Sequence, residues 1–331
     1  MHFSFAFPTL LKNLKINMRQ KTLTNSQLLD AIRNRANKFQ SAEHFATAQN
    51  YLSTARSFSQ YINLRSSAHA QFNAATVQDY YRYLQTERRV LRNTQSFYLR
   101  FLRATYCAMG GCADVFKDAY TSVEPTRKRA LPAHVIKKLD SLPLKGRYAM
   151  WRDMFLFSFE ARGMAFVDMA YLRQSDIRGG YITYCRHKTG RPLTVKLEPC
   201  MQQIITRWSP TTLHTDTNHS NFHPGYVFPI IRSSGAKGFT EYQSALSAYN
   251  KALRSIAARV GLAKSGLTTL SSYTARHTWA TQAYHAGIPV SVISEGMGHS
   301  TEKVTRIYLA QLTPNIIDRY NHTLLNSIGF R

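Results

Sequence analysis

The sequence is poor in acidic residues and in cysteine, and it contains no long apolar run. Its 331 residues include 18 Asp and Glu against 43 Lys and Arg, so the formal net charge is +25. The basic excess is shared by both halves of the chain rather than gathered in one tail. Such a charge favours a partner rich in phosphate, because each phosphate that a cationic side chain neutralises releases counterions. Charge alone leaves solubility or association with ribosomes open beside DNA or RNA binding.

The four cysteines form no C-x-x-C pair. Their number and spacing exclude a dense disulfide framework and predict reduced thiols, as in a cytosolic protein. His214, His219 and His223 lie in a stretch rich in Thr and Asn, where solvated loop histidines explain them better than a zinc site does. We therefore expect no metal site.

No window of about 20 residues is predominantly apolar, which excludes a transmembrane helix. Residues 1–21 are apolar but lack the basic segment that precedes the apolar run of a secretory signal. Two interpretations stay open for this N-terminal arm, which need not be ordered. It packs on a partner, or translation starts at Met18 and residues 1–17 are not made.

Helical periodicity dominates residues 22–115. Apolar residues recur at helical intervals in four stretches, and arginines lie on their polar sides. The first two predicted helices cover 24–40 and about 42–63. Thr76 caps the third, and the fourth runs from Asn93–Thr94 to Gly110–Gly111. Together they predict a small four-helix bundle. Only the net charge of the chain favours DNA contact by this bundle, since such charges are usually solvated.

The remainder predicts a linker over 116–132, with two prolines and three consecutive basic residues, and a mixed domain over 133–331. Two strand-like runs, 181–186 and 192–197, flank Lys188–Thr189–Gly190 and predict an antiparallel hairpin. Helical patterns cover 134–142, 147–160, about 239–260 and about 273–286. The predicted fold class is mainly α: a helical bundle, then an α-rich domain with a small antiparallel sheet.

One segment of this domain, SYTARHTWATQAYHAGIPVSVISEGMGHSTEKVTRIY (272–308), combines three residue types in a fixed order. Arg276 comes first, the pair Gly298–His299 follows, and Tyr308 stands nine residues after the histidine. Upstream, FEARGMAFVDMAYL (159–172) contains Arg162, and RHKTGRPLTVKL (186–197) contains Lys188. In these segments the chain resembles the catalytic domain of the tyrosine recombinases, the phage integrase type, over roughly 134–312.

The resemblance implies that Tyr308 attacks a DNA phosphodiester and forms a 3′-phosphotyrosyl link. Arg162 and Arg276 would stabilise the two non-bridging oxygens, because a guanidinium is permanently charged and donates in a bidentate fork. Lys188 would be the general acid for the departing 5′-oxygen, and His299 would donate a hydrogen bond to the phosphate. Because the link keeps the bond energy for rejoining, the resemblance implies no ATP, no metal and no other cofactor.

Two positions depart from the family pattern. Tyr273 stands three residues before Arg276, where the family usually has histidine; tyrosine keeps a donor but does not titrate near neutral pH. We expect a working variant site with Tyr273 in it. His277, which follows Arg276, is assigned to packing or to supporting the residues that contact the phosphate. Asp168 follows Arg162 by six residues, where many relatives place an acidic residue after three. It either orients an active-site arginine or lies on a helix surface. This form resembles a subgroup of integrases from Bacteroides-type bacteria.

The resemblance also implies an assembly. A SAM-like core-binding domain (22–115) and a catalytic domain of the DNA breaking-rejoining fold (133–331) would close on double-stranded DNA. A homo-tetramer would act on two DNA sites, and accessory DNA-bending proteins could assist it. The protein would be cytoplasmic, would associate with the nucleoid when bound to DNA, and would not bind a membrane. The apolar stripe in 313–327 suits exchange of a C-terminal helix with a neighbour, or packing within its own chain.

Two rival functions remain. A type IB topoisomerase uses the same nucleophile chemistry, but the N-terminal bundle favours recombination. An inactive DNA-binding regulator on the same fold is the second, and the presence of all five catalytic residues, Arg162, Lys188, Arg276, His299 and Tyr308, argues against it.

Overall fold

A computed structural model of the chain describes residues 22–124, 130–209, 225–262, 269–299, 301–302 and 305. The chain divides into two compact units, Met1–Glu124 and Pro125–Arg331, and each has its own hydrophobic core. In the described residues both units are mainly helical, and the second contains a three-stranded antiparallel sheet. The predicted fold class is confirmed. None of the described helices is both long enough and apolar enough to cross a membrane.

Four α-helices and a short 3₁₀ turn make up the described part of the first unit. They are α1 (Asn25–Ser41), α2 (Phe45–Leu64), α3 (Ala74–Thr86) and α4 (Arg92–Ala108), with the 3₁₀ turn at Ala113–Phe116. Thr24 precedes α1 and forms a capping box with Gln27. The Thr24 hydroxyl accepts a hydrogen bond from the backbone nitrogen of Gln27, and the Gln27 side chain accepts one from the backbone nitrogen of Thr24. Aromatic rings fill the core between the helices: Phe58 packs edge-on against Tyr80 at 5.3 Å between centroids.

Two predicted helix starts in this unit are wrong. Asn73, not Thr76, caps α3, because its side-chain oxygen accepts a hydrogen bond from the backbone nitrogen of Thr76. Helix α4 begins at Arg92, and Leu91 before it provides no side-chain cap. The Asn93 side chain instead bonds the backbone oxygen and nitrogen of Glu124, at 3.0 and 2.8 Å.

The described ends of the predicted linker have fixed partners. In the first unit, the Ser96 hydroxyl donates to the carbonyl of Ser122 at 2.6 Å. In the second unit, Leu131 is 1% exposed; its nitrogen donates to the Thr278 hydroxyl and its carbonyl accepts from Gln282. The boundaries 22–115, 116–132 and 133–331 stay a prediction.

The second unit is built around a buried helix. Its described elements, in chain order, are α5 (Ala133–Asp140), α6 (Gly146–Glu160), α7 (Phe166–Ala170), a 3₁₀ turn (Gln174–Asp176), β1 (Ile177–Arg178), β2 (Tyr181–Cys185), β3 (Pro192–Lys196), α8 (Pro199–Trp208), α9 (Gly235–Arg259), α10 (Thr274–His285) and α11 (Val290–Gly296). Met154 and Phe157 of α6 are fully buried. Because α6 is buried on nearly every side, its Asp153 needs partners, and Arg152, Arg207 and Trp208 donate to it.

The sheet has the order β1-β2-β3. Ile182 pairs with Val195 and Tyr184 with Leu193 in the predicted hairpin, whose inward side chains alternate with exposed ones along β2. Strand β1 was not predicted, because two residues are too few to show an alternation.

Candidate active site

Arg276 is buried in the first turn of α10, with 3% of its surface exposed. Its Nη1 donates to the carbonyl of Gly163 at 2.7 Å, and its Nη2 donates to the carbonyl of Met297 at 2.6 Å. Nη2 also lies 3.0 Å from Nε2 of His299. One guanidinium therefore joins the segment after α6 to the segment after α11.

The close approach of Gly163 requires a glycine. Its φ is +72°, and a Cβ at this position would lie 2.8 Å from Cα of Arg276. Arg162 before it also has a left-handed backbone, with φ +56°, which is uncommon for a residue with a side chain. These two residues turn the chain sharply after α6.

Arg162 is half-buried, and its side chain runs toward the sheet and the end of α11. Its Nη1 makes a long hydrogen bond of 3.4 Å to the carbonyl of Thr194 in β3, and its Cδ lies 3.7 Å from where a Cβ of Gly296 would be. Burial raises the pKa of Tyr184, while Arg276, Arg186 and Arg162 oppose that rise. All three guanidinium groups are thus close to one phenol ring, and the structure brings Arg162 and Arg276 to the same part of the unit.

His299 is 7% exposed and lies between two partners. Its Nδ1 is 2.8 Å from the hydroxyl of Thr305, and its Nε2 faces Arg276. Burial, followed by the charges of Arg276, Arg186 and Lys188, lowers the pKa of His299 to about 3, so the ring is neutral near pH 7. Because Arg276 can only donate, Nε2 is the acceptor and the proton is assigned to Nδ1.

Lys188 is exposed in the turn between β2 and β3. The turn is closed by hydrogen bonds from the nitrogen of Arg186 to the carbonyl of Arg191, at 2.9 Å, and from the nitrogen of Gly190 to the carbonyl of Arg186, at 2.8 Å. The charge of Lys188 contributes to the lowered pKa of His299, which places the two residues near each other.

Asp168 lies in α7 and is 4% exposed, so the helix-surface alternative is wrong. Its Oδ1 accepts a hydrogen bond of 2.8 Å from the backbone nitrogen of His187, the residue before Lys188. Burial raises the pKa of this carboxyl, and the bond from His187 and the charges of Arg186, His187 and Arg276 act in the opposite direction. The Asp168 carboxylate therefore holds the backbone of the β2–β3 turn directly before Lys188.

A small cavity of about 110 Å³ opens beside Arg276. It is lined by Ala165, Phe166, Val167, Tyr242, Leu246, Ser272, Tyr273 and Arg276. Tyr273 directly precedes α10 and is 48% exposed, so the two sequence-predicted residues Tyr273 and Arg276 share one cavity. His277 is half-buried, with its ring 6.2 Å from that of Tyr273. A larger cavity of about 750 Å³, between Trp151 and Trp208, contains none of the predicted site residues.

Several predicted features lie outside the described residues: Tyr308, the arm 1–21, the histidines 214, 219 and 223, and the stripe in 313–327. In the part of the chain that is described, no three His, Cys, Asp or Glu side chains form a group that could hold a metal ion.

Two residues of the site were missed by the sequence analysis. Arg186 and Arg191, on either side of the lysine turn, donate to the carbonyls of Gly298 and His299. Their one sequence signal is their position in the hairpin, because their partners are backbone atoms more than a hundred residues away.

Comparison with solved structures shows the same fold elsewhere. The chain is similar to the Tn1549 transposon integrase in complex with transposon right end DNA, at 13% identity, covering 91% of this chain and 99% of that chain with a TM-score of 0.63. It is also similar to a lambda integrase tetramer bound to a Holliday junction, at 14% identity, covering 88% and 78% with a TM-score of 0.55. Comparison with curated proteins finds no match.

Family models give the assignment. A model of the phage integrase SAM-like domain matches residues 27–108, within the helical first unit. A model of the phage integrase family matches residues 133–313, which is more than half of the chain and spans every residue of the candidate site. The chain therefore belongs to the phage integrase family.

Proposed function

We propose that this integrase cuts and rejoins duplex DNA at specific sites through a 3′-phosphotyrosyl intermediate on Tyr308. The observation that carries the proposal is the meeting of Arg162, Arg276 and His299 beside the Lys188 hairpin. Four separated segments supply these side chains. A chain with a net charge of +25 suits a polyanionic substrate of this kind.

In this proposal Arg276 and Arg162 stabilise the charge that develops on the non-bridging oxygens of the scissile phosphate. Arg276 is fixed by the carbonyls of Gly163 and Met297, so little reorganisation is needed when the phosphate arrives. Among the described residues, the hydrogen bond that Arg162 gives up before it turns toward the phosphate is the long one to Thr194.

The cleavage step forms the bond from the Tyr308 oxygen to phosphorus and breaks the bond from phosphorus to the 5′-oxygen. Tyr308 releases its proton to solvent water, and the 5′-oxygen gains one from Lys188, which recovers its proton from solvent. Rejoining reverses the step with a 5′-hydroxyl from the other duplex. His299 and Tyr273 contribute hydrogen bonds to the phosphate, and His299 must then carry a proton on Nε2. These steps use only groups of the chain and solvent water, so the proposal needs no metal, ATP or other cofactor.

The assembly proposed here is a homo-tetramer on two DNA sites that exchanges strands through a four-way junction, with residues 313–327 packing on a neighbour. The lambda integrase tetramer bound to a Holliday junction supports it through the shared fold. The core-binding domain (22–115) and the catalytic domain (133–331) each bind the duplex in this proposal, in the cytoplasm, and accessory DNA-bending proteins are an optional addition. The long spacing from Arg162 to Asp168 is our reason for proposing the Bacteroides-type subgroup.

Recombination is tested with a supercoiled plasmid that carries two copies of the DNA flanking the gene, incubated with the protein in EDTA. The proposal predicts inverted or excised products. Relaxation without recombinants would favour the type IB topoisomerase. Retarded DNA without any covalent product would favour the inactive regulator.

A further inference from the structure

The turn that carries Lys188 is fastened on both sides to the segment that carries His299. Arg186 precedes the turn, and its Nη1 donates to the carbonyl of Gly298 at 2.7 Å. Arg191 follows the turn, and its Nη1 donates to the carbonyl of His299 at 2.6 Å. The two ends of one short loop are thereby tied to two consecutive carbonyls.

Gly298 allows the two segments to touch. Its φ is +65°, and a Cβ would lie 2.8 Å from Cδ of Arg186 and 3.0 Å from Cδ1 of Leu193. A side chain at position 298 would therefore collide with the Arg186 and Leu193 side chains of the hairpin, so the contact requires a glycine.

A buried arginine such as Arg186 is uncommon where a contact serves only to stabilise the fold. It is 7% exposed, and its Nε has no hydrogen-bond partner among the described residues. Burying a guanidinium is costly unless its charge is balanced, and here the nearby Asp168 provides a negative charge. Asp168 also accepts a hydrogen bond from the backbone nitrogen of His187, which is a third contact that fixes the same turn.

We propose that Arg186 and Arg191 are positioning residues for Lys188, which set its amine against the phosphate that Arg276 and His299 hold. The proposal rests on the proposed function, in which Lys188 is the general acid. A lysine side chain on an exposed turn has considerable conformational freedom, and proton transfer requires hydrogen-bond reach. Tying the turn to Gly298–His299 reduces the positions that the amine can take to those near the phosphate.

A substrate with sulfur in the 5′-bridging position separates this role from general damage. A thiol has a pKa of about 8.5, whereas water, the reference for a hydroxyl, has one of about 15.7. In cleavage of this substrate the bond from phosphorus to sulfur breaks and the thiolate leaves without a proton. The sulfur substrate therefore no longer needs Lys188 as a general acid. It still needs Arg162 and Arg276 to stabilise the charge on the non-bridging oxygens.

The experiment measures single-turnover formation of the covalent protein–DNA adduct by full-length Arg186→Met and Arg191→Met on both substrates. We expect each variant to be slower by about a hundredfold on the oxygen substrate and by less than about threefold on the sulfur substrate. Lys188→Met gives the reference pattern. Arg178→Met is the matched control: it removes a sheet arginine that donates to the carbonyl of Ser175, and it should match the parent on both substrates.

An equal slowing on both substrates, or no slowing on the oxygen substrate, would overturn the proposal. So would a Lys188→Met defect that sulfur does not relieve. If the buried Arg186→Met does not fold, Arg191→Met decides, because Arg191 is exposed. An unmodified protein that forms no adduct with either substrate would refute the proposed function itself, which is a different result.

Discussion

Arg276 and His299 lie 3.0 Å apart, from Nη2 to Nε2, although 23 positions separate them in the chain. Burial, followed by the permanent charge of the arginine, lowers the pKa of the histidine and keeps it neutral, and the histidine gives the buried guanidinium an acceptor. The two side chains therefore hold each other in position within the site.

This relationship predicts a dependence of stability on pH. The pKa of His299 is about 3 in the folded protein against an ordinary value of 6.5, so between these values the unfolded chain binds more protons. Stability must then fall as the pH falls below 6.5, by up to about 2 kcal/mol at pH 5. Urea unfolding followed by tryptophan fluorescence measures it, since Trp151, Trp208 and Trp279 all belong to the second unit.

The variant His299→Gln should lose this part of the pH dependence. His134→Gln, which removes an exposed histidine from the same unit, is the control. A slope between pH 6.5 and 5 that is the same in His299→Gln as in the parent would contradict the assignment of a neutral, buried ring.

Gly163→Ala tests the close approach to Arg276. Alanine in a left-handed conformation is strained by about 1 kcal/mol. Here its Cβ would also meet the Arg276 backbone at 2.8 Å, so we expect a total loss of about 2 kcal/mol or more. Gly146→Ala is the matched control, since Gly146 has φ +55° but nothing within 4 Å of a Cβ.

Both glycine variants are compared by urea unfolding of the second unit. Equal losses of unfolding free energy would mean that only the backbone conformation matters and that the contact with Arg276 is unimportant.

Tyr273→His places the residue type that is usual in the family beside Arg276. We expect DNA cleavage to stay within about tenfold of the parent, because both side chains offer a donor from the same cavity wall. Tyr273→Phe, which keeps the ring and loses the donor, should slow cleavage by about a hundredfold. Single-turnover cleavage rates check both, and loss of all activity in Tyr273→His would show that the tyrosine has another role.

The sequence was most informative where the signal is local. The hairpin around Lys188 follows from the alternation of its strands, and the helical bundle follows from periodicity. Helix starts were less well predicted: Asn73 and Thr76 are both good capping residues, and only the path of the chain selects Asn73.

The contacts that shape the candidate site could not be predicted. Arg186 and Arg191 bond to carbonyl oxygens, which every residue has, so no residue type at positions 298 and 299 indicates them. The neutral state of His299 likewise depends on its burial and on three cations that folding brings to it. Residue types indicated the chemistry, while the arrangement of backbone groups around it required the structure.

The central claim is tested most directly by incubating the protein with a nicked suicide substrate made from the DNA that flanks its gene. A covalent protein–DNA adduct that resists denaturant, and that is absent with Tyr308→Phe, is the predicted result. No adduct with the parent protein, or an adduct that persists in Tyr308→Phe, would contradict the account.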